Sequence, residues 1–150
     1  MGHYADIYVI KKTRSKQLGL DFLDHFLPKR KESADAYDVP QYGDSTQVIF
    51  SKAKEVMSYM EQHLDVYQSI YWNNTDPENP NRHGMLFYTK DGYMIFGISR
   101  DSNGINDTQN ERECLTLMQE FLKTDKGYIT YECPPEDNWN DFIKVKSLPF

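Results

Sequence analysis

Two runs rich in aromatic and aliphatic residues, MLFYTK and YMIFGISR, meet at Asp91-Gly92. Asp-Gly supplies the positive φ angles of a type I′ turn, whose twist matches that of a β-hairpin. A two-residue loop sets Lys90 opposite Tyr93, and every other pair follows. Met85, Phe87 and Thr89 then share a face with Met94, Phe96 and Ile98, the expected core face. Leu86, Tyr88, Ile95 and Gly97 take the opposite face. That face is too apolar for open solvent and is expected to be partly covered. The same register puts His83 opposite Arg100, and a slip of one residue would break the pairing.

The rest of the chain is read outward from this hairpin. Tyr4 to Ile10 reads as a strand. SKQLGLDFLDHFLPK places Leu18, Phe22, Leu23, Phe26 and Leu27 on one helical face, and Pro28 closes it. A long polar connector follows at about residues 29–45, and connections of that length tend to be functional or mobile. TQVIF reads as a short buried strand. Ser51 is placed to cap a second helix carrying Ala53, Val56, Met57, Met60 and Leu64, and YQSIYWN as the strand before the hairpin. Thr108 and Glu111 have the spacing of a capping box at the start of a third helix. Its apolar stripe is Cys114, Leu115, Met118, Phe121 and Leu122, with Lys123 and Lys126 at its negative end and Gly127 as its stop. YITYEC reads as a strand and NDFIKVKS as a last short one. The order β-α-β-α-β-β-β-α-β-β implies a single α+β domain over residues 1–150. Its sheet is mixed but mainly antiparallel, with a central meander and about three helices on one face.

Several function classes drop out. No apolar run approaches bilayer length. MGHYADIYV has neither the charged nor the apolar region of a secretory leader, so a cytoplasmic location is expected. Cys114 and Cys133 have no zinc spacing and are expected to be buried, reduced thiols. There is no HExxH, GxSxG, P-loop or GxGxxG. DSNGIND fails as a calcium loop, because Gly is fourth and the twelfth residue is Arg112. Asp21 and His25, one helical turn apart, have no third ligand. No cofactor and no metal are expected, and no catalytic residue is assigned. The net charge of −6 is uneven: residues 1–31 hold seven Lys/Arg against three Asp/Glu, and the remainder ten against twenty. That acidic bulk makes nucleic acid an unsuitable partner, and KKTRSK and PKRK read as a solvated face.

Two sets of residues stand out as candidates. Topology gathers Arg82, His83, Arg100 and Asp101 at one end of the sheet, with Asn103, Asn106, Glu136 and the two tryptophans, Trp72 and Trp139, nearby. Such a pole could hold a small anion or support acid–base chemistry. The second set is tyrosines, of which the chain has 11. Tyr buries area at low entropy cost while keeping a polar tip, which suits interfaces. Tyr37 and Tyr42 in the connector and Tyr71 and Tyr88 on the sheet are the partner-binding candidates. The leading expectation is a small, soluble, non-enzymatic protein-binding domain, like an inhibitor or immunity protein, that meets a basic target electrostatically. The alternative is a small-molecule-binding or enzymatic domain built on the arginine–histidine pole.

Overall fold

The structure is a computed structural model and describes residues 3–41 and 46–146. Its elements are β1 (His3–Lys11), α1 (Lys16–Phe26), β2 (Arg30–Glu32), β3 (Tyr37–Val39), β4 (Val48–Phe50), α2 (Ala53–Gln62), β5 (Gln68–Asn74), β6 (Asn81–Tyr88), β7 (Met94–Ser102), α3 (Gln109–Leu122), β8 (Gly127–Thr130) and α4 (Trp139–Lys144). Six strands form one antiparallel sheet in the order β2-β5-β6-β7-β1-β8, and β3 and β4 pair as a separate ribbon. The α+β class and the central meander β5–β6–β7 are as the sequence predicts.

One sheet face carries the main core. Ile7, Val9, Ile70, Leu86, Tyr88, Met94, Phe96 and Ile98 meet Phe22 and Leu23 of α1, Val56, Met57 and Met60 of α2, and Cys114 and Met118 of α3. Side chains such as Phe22 and Leu23 are wholly excluded from water, each stabilising the fold by about 1.5–3 kcal/mol. The second face carries a smaller cluster of Tyr8, Ile10, Met85, Phe87, Ile95, Tyr128 and Phe142. It is partly covered, as expected, and its cover is α4.

The hairpin register differs from the two-residue reading by one residue. Tyr88 pairs with Met94 and His83 with Ser99, while Arg100 pairs with Asn81 across a bulge at Arg82. The loop is the three residues Lys90–Gly92. Thr89 N–H donates to the Tyr93 carbonyl, Gly92 N–H to the Thr89 carbonyl, and Gly92 has φ +95°. This is a type I turn followed by a left-handed glycine, the second way an Asp-Gly pair closes a hairpin. The Thr89 hydroxyl adds a bond from Tyr93 N–H at 2.8 Å. The slip moves Leu86 and Tyr88 to the main core and Met85 and Phe87 to the second face.

Helix ends also depart from local expectation. Ser15 caps α1, accepting from Leu18 N–H at 3.0 Å. For α2, Ser51 does not cap; Glu32 reaches over from β2 and accepts from Ala53 N–H at 2.8 Å. Thr108 makes no side-chain cap on α3. Glu111 instead turns inward, fully buried, and accepts from Ser102 and Tyr131 hydroxyls at 2.7 and 2.9 Å. α3 ends at Lys123, which takes the left-handed conformation (φ 57°), so Gly127 opens β8 rather than stopping the helix.

The connector is not a structureless loop. It holds β2 and β3, and Tyr37 and Val39 of β3 are core residues. Trp139–Lys144 forms a short helix in place of the expected final strand, capped by Asn138, which accepts from Asp141 N–H. β8 stops at Thr130, so Cys133 lies on the turn beyond it and is exposed, unlike the buried Cys114. No helix among the described residues is long and apolar enough to cross a membrane.

One buried charge ties these parts together. Arg14 is 5% exposed. Its guanidinium donates to the carbonyls of Met60 (3.0 Å), His63 (2.6 Å), Val66 (2.8 Å) and Thr89 (2.5 Å). It also lies 5.3 Å from the Tyr88 ring centroid. The first two carbonyls belong to the C-terminal end of α2, where a cation is favoured.

Candidate functional site

The second face of the sheet is closed at its hairpin end and open at the other. Phe142 of α4 packs on Tyr128 with ring centroids 4.6 Å apart. The start of α4 and the residue pair before it are fastened to the hairpin by Lys90 N–H to the Asp137 carbonyl, by the Lys90–Asp137 ion pair at 2.8 Å, and by Trp139 N–H to Asp91. At the open end lies a groove of about 360 Å³ lined by Tyr4, Asp6, Tyr8, Tyr71, His83, Met85, Phe87, Ser99 and Glu132 to Pro134.

Strand register explains why these side chains converge. Asp6 pairs with Ser99 and Ser99 with His83, so the three stand side by side on adjacent strands. One step toward the hairpin, Tyr8, Gly97, Met85 and Tyr71 form the next row. Gly97 keeps that spot open: a Cβ would sit 3.1 Å from the Tyr8 ring and 3.2 Å from Met85 Cβ, tighter than an ordinary contact. Its absence lets the Tyr8 ring lie against the β7 backbone as part of the groove floor.

The polar groups are held differently. His83 Nδ1 and Ser99 Oγ are 2.7 Å apart, and the imidazole meets Tyr4 edge-on at 5.6 Å. Burial, followed by the charge of Arg82, holds the His83 pKa below its ordinary value, against a smaller opposing pull from Asp101. His83 is therefore neutral at pH 7. Asp6 is pushed the other way, to about 6, by burial and by the neighbouring charge of Glu132; backbone N–H groups of Glu132 and Cys133 offset part of the rise. Glu132 has φ +55°, a left-handed conformation uncommon for a residue with a side chain. Tyr8 hydroxyl donates to the Cys133 carbonyl at 2.7 Å and holds the same turn over the sheet. Among the described residues no cation lies within ion-pair distance of Asp6 or Glu132.

The predicted pole divides between the two faces. Arg82 and Asp101 form an exposed pair at 3.0 Å beside His83. Arg100 lies on the opposite face, 4% exposed, and donates to Asn81 Oδ1 at 2.7 Å and to Asn110 Oδ1 at 3.0 Å. It joins β6 to the start of α3 and is not available to a ligand beside His83. Asn81 in turn donates to the Phe26 carbonyl at the end of α1, as does Asn79. The loop before β6 is thus occupied with helix termination and with turns closed by Asn74 and Asp76. Trp139 is at the hairpin end, where Lys12 lies 4.6 Å from its ring, and Trp72 is in the main core.

The tyrosine set also divides. Tyr37 is buried with its hydroxyl on Glu32 at 2.7 Å, and Tyr88 is wholly buried. Neither presents a surface to a partner, because both supply the core under α2. Tyr42 lies outside the described residues. Tyr71 is 41% exposed on the groove rim, and Tyr4, which sequence reasoning did not single out, is 38% exposed at the groove's other side. Asp6 and Glu132 were also missed; the signal for Asp6 is a carboxylate at an inward position of an otherwise apolar strand. Asp21 and His25 are engaged separately: Asp21 accepts from Gln17 and His25 stacks on Phe121. No cluster of three metal-ligating side chains occurs among the described residues.

Comparison of the chain with family models, curated proteins and solved structures returns no match.

Proposed function

We propose that this chain is a non-enzymatic protein-binding domain, of the kind that inhibits or neutralises its target, and that the open end of the second sheet face meets a basic partner. The observation that carries this reading is the groove itself. It is rimmed by half-exposed tyrosines and lined by two carboxylates that no cation among the described residues pairs with. Aromatic residues with a polar tip suit the centre of an interface, and uncompensated negative charge steers a basic partner. The net charge of −6 extends that steering over the whole molecule.

An enzymatic reading fits less well. Ser99 sits inside the sheet between β1 and β6, so its backbone groups belong to ladders and cannot line an oxyanion pocket. Arg100 is removed from the His83 side, which leaves the ligand pole without its second arginine. A cytoplasmic setting belongs to the same proposal, since both cysteines are free thiols.

The test compares immobilised wild-type protein with a Tyr4→Ala/Tyr71→Ala variant in lysate of the native host. The expected result is one basic protein retained stoichiometrically by the wild type, released by salt, and lost on the variant. Retention of nothing, or equal retention by the variant, would refute the reading.

A further inference from the structure

We propose that the group the partner inserts into this groove is the guanidinium of an arginine side chain; the inference rests on the reading of that face as the binding surface. The groove offers aromatic rings and carboxylates together. Tyr4 and Tyr71 stand at its rims and Tyr8 on its floor, with Asp6 and Glu132 at its acidic side. A guanidinium is planar, stacks on aromatic rings, carries five donors in one plane and is more weakly hydrated than an ammonium. It can therefore lie on a half-dry aromatic floor and address two carboxylates at once. An ammonium, compact and strongly hydrated, gives up more on entering the same space.

The charges around Asp6 favour a cation. Glu132 faces it from the segment after β8, and Ser99 of β7 and His83 of β6 stand beside it in the sheet. Among the described residues Arg82 is the nearby positive group, and it is engaged by Asp101. With His83 neutral, these residues sum to net negative charge. An incoming cation would also offset the lost hydration and like-charge repulsion that push the Asp6 carboxyl up to about 6.

The test is a titration of isotopically labelled protein, followed by amide NMR shifts, with N-acetyl-arginine amide and separately with N-acetyl-lysine amide. The arginine probe should give saturable shifts at Asp6, His83, Gly97 and Glu132. It should bind at least about threefold more tightly than the lysine probe. Lowering the pH from 7 to 5 should weaken it by about tenfold, because the ionised fraction of Asp6 falls from about nine-tenths to one-tenth. Glu132→Gln, on an exposed turn residue, should weaken binding while leaving the spectrum folded. No saturable shift, equal affinity for the two probes, or unchanged affinity in Glu132→Gln would overturn the assignment. If the arginine probe fails while the Tyr4→Ala/Tyr71→Ala variant still loses the captured protein, the guanidinium assignment alone falls. If both fail, the surface is not the interface.

Discussion

Replacing Asp6 with Asn should make the protein more stable at neutral pH, not less. The Asp6 carboxyl ionises at about 6 in the folded chain against an ordinary 3.8, because it is partly buried beside the charge of Glu132. Its folded pKa is raised, so its contribution to stability is fully present below pH 3.8 and is lost as the pH rises through 6. Each tenfold change in acidity corresponds to about 1.4 kcal/mol, so the ionised group costs the native state roughly 3 kcal/mol at pH 7. Asn removes that cost. Its single oxygen, however, cannot serve the Glu132 and Cys133 N–H groups as two carboxylate oxygens do, and that loss is about 1 kcal/mol. The expected net gain is about 1–2 kcal/mol at pH 7, shrinking to zero or a small loss at pH 4. Urea unfolding followed by tryptophan fluorescence at pH 4, 5, 6 and 7 measures it. The reasoning fails if Asp6→Asn is less stable than wild type at pH 7 and closer to it at pH 4. A stabilising substitution in a groove that then loses its partner is the pattern of a residue retained for binding rather than folding.

Three other outcomes follow from the packing. Arg14→Met should lower stability by about 3–5 kcal/mol in the same urea assay, since four carbonyls lose one charged donor; a loss below about 1 kcal/mol would show that those carbonyls find other donors. Gly97→Ala should cost about 1–3 kcal/mol and displace the Tyr8 ring, seen as changed ring shifts in NMR, because its Cβ meets that ring at 3.1 Å. Ellman's reagent should label Cys133 quickly and Cys114 only on unfolding, since Cys133 is exposed while burial pushes the Cys114 thiol up to about 12.

Much of the main core was legible because its signals are local and repeated. Phe22, Leu23 and Phe26 follow helical spacing, and Met94, Phe96 and Ile98 follow strand spacing. The partner face of the hairpin was not, since Asp-Gly closes loops of two or three residues and the difference moves Leu86, Tyr88, Met85 and Phe87 to opposite sides. The choice depends on the Thr89 hydroxyl and on what each face packs against. Phe142 and Val145 are three apart and fit one helical turn, yet alternation over Ile143-Lys144-Val145-Lys146 also permits a strand. Asn138, just before the helix, decides between them as its cap. The groove was half legible. His83 and Tyr71 both line it, while Arg100 falls on the opposite face through the strand's period of two. Asp6, Tyr4 and Glu132 come from segments some 125 residues apart in sequence, and only the pairing of β1 with β7 and β8 unites them.

The buried link from the Phe26 carbonyl through Asn81 and Arg100 to Asn110 has a consequence for how the molecule opens. It couples the last turn of one helix to the first turn of another across the end of the sheet, through Asn81 and Arg100, which are both buried. Neither end can fray without stranding a buried polar group belonging to the other. Slow amide exchange should therefore report a single cooperative unit at the end of α1 and the beginning of α3. That rigid end borders the open groove, so an occupant of the groove would meet a prepared surface rather than one it must first put in order.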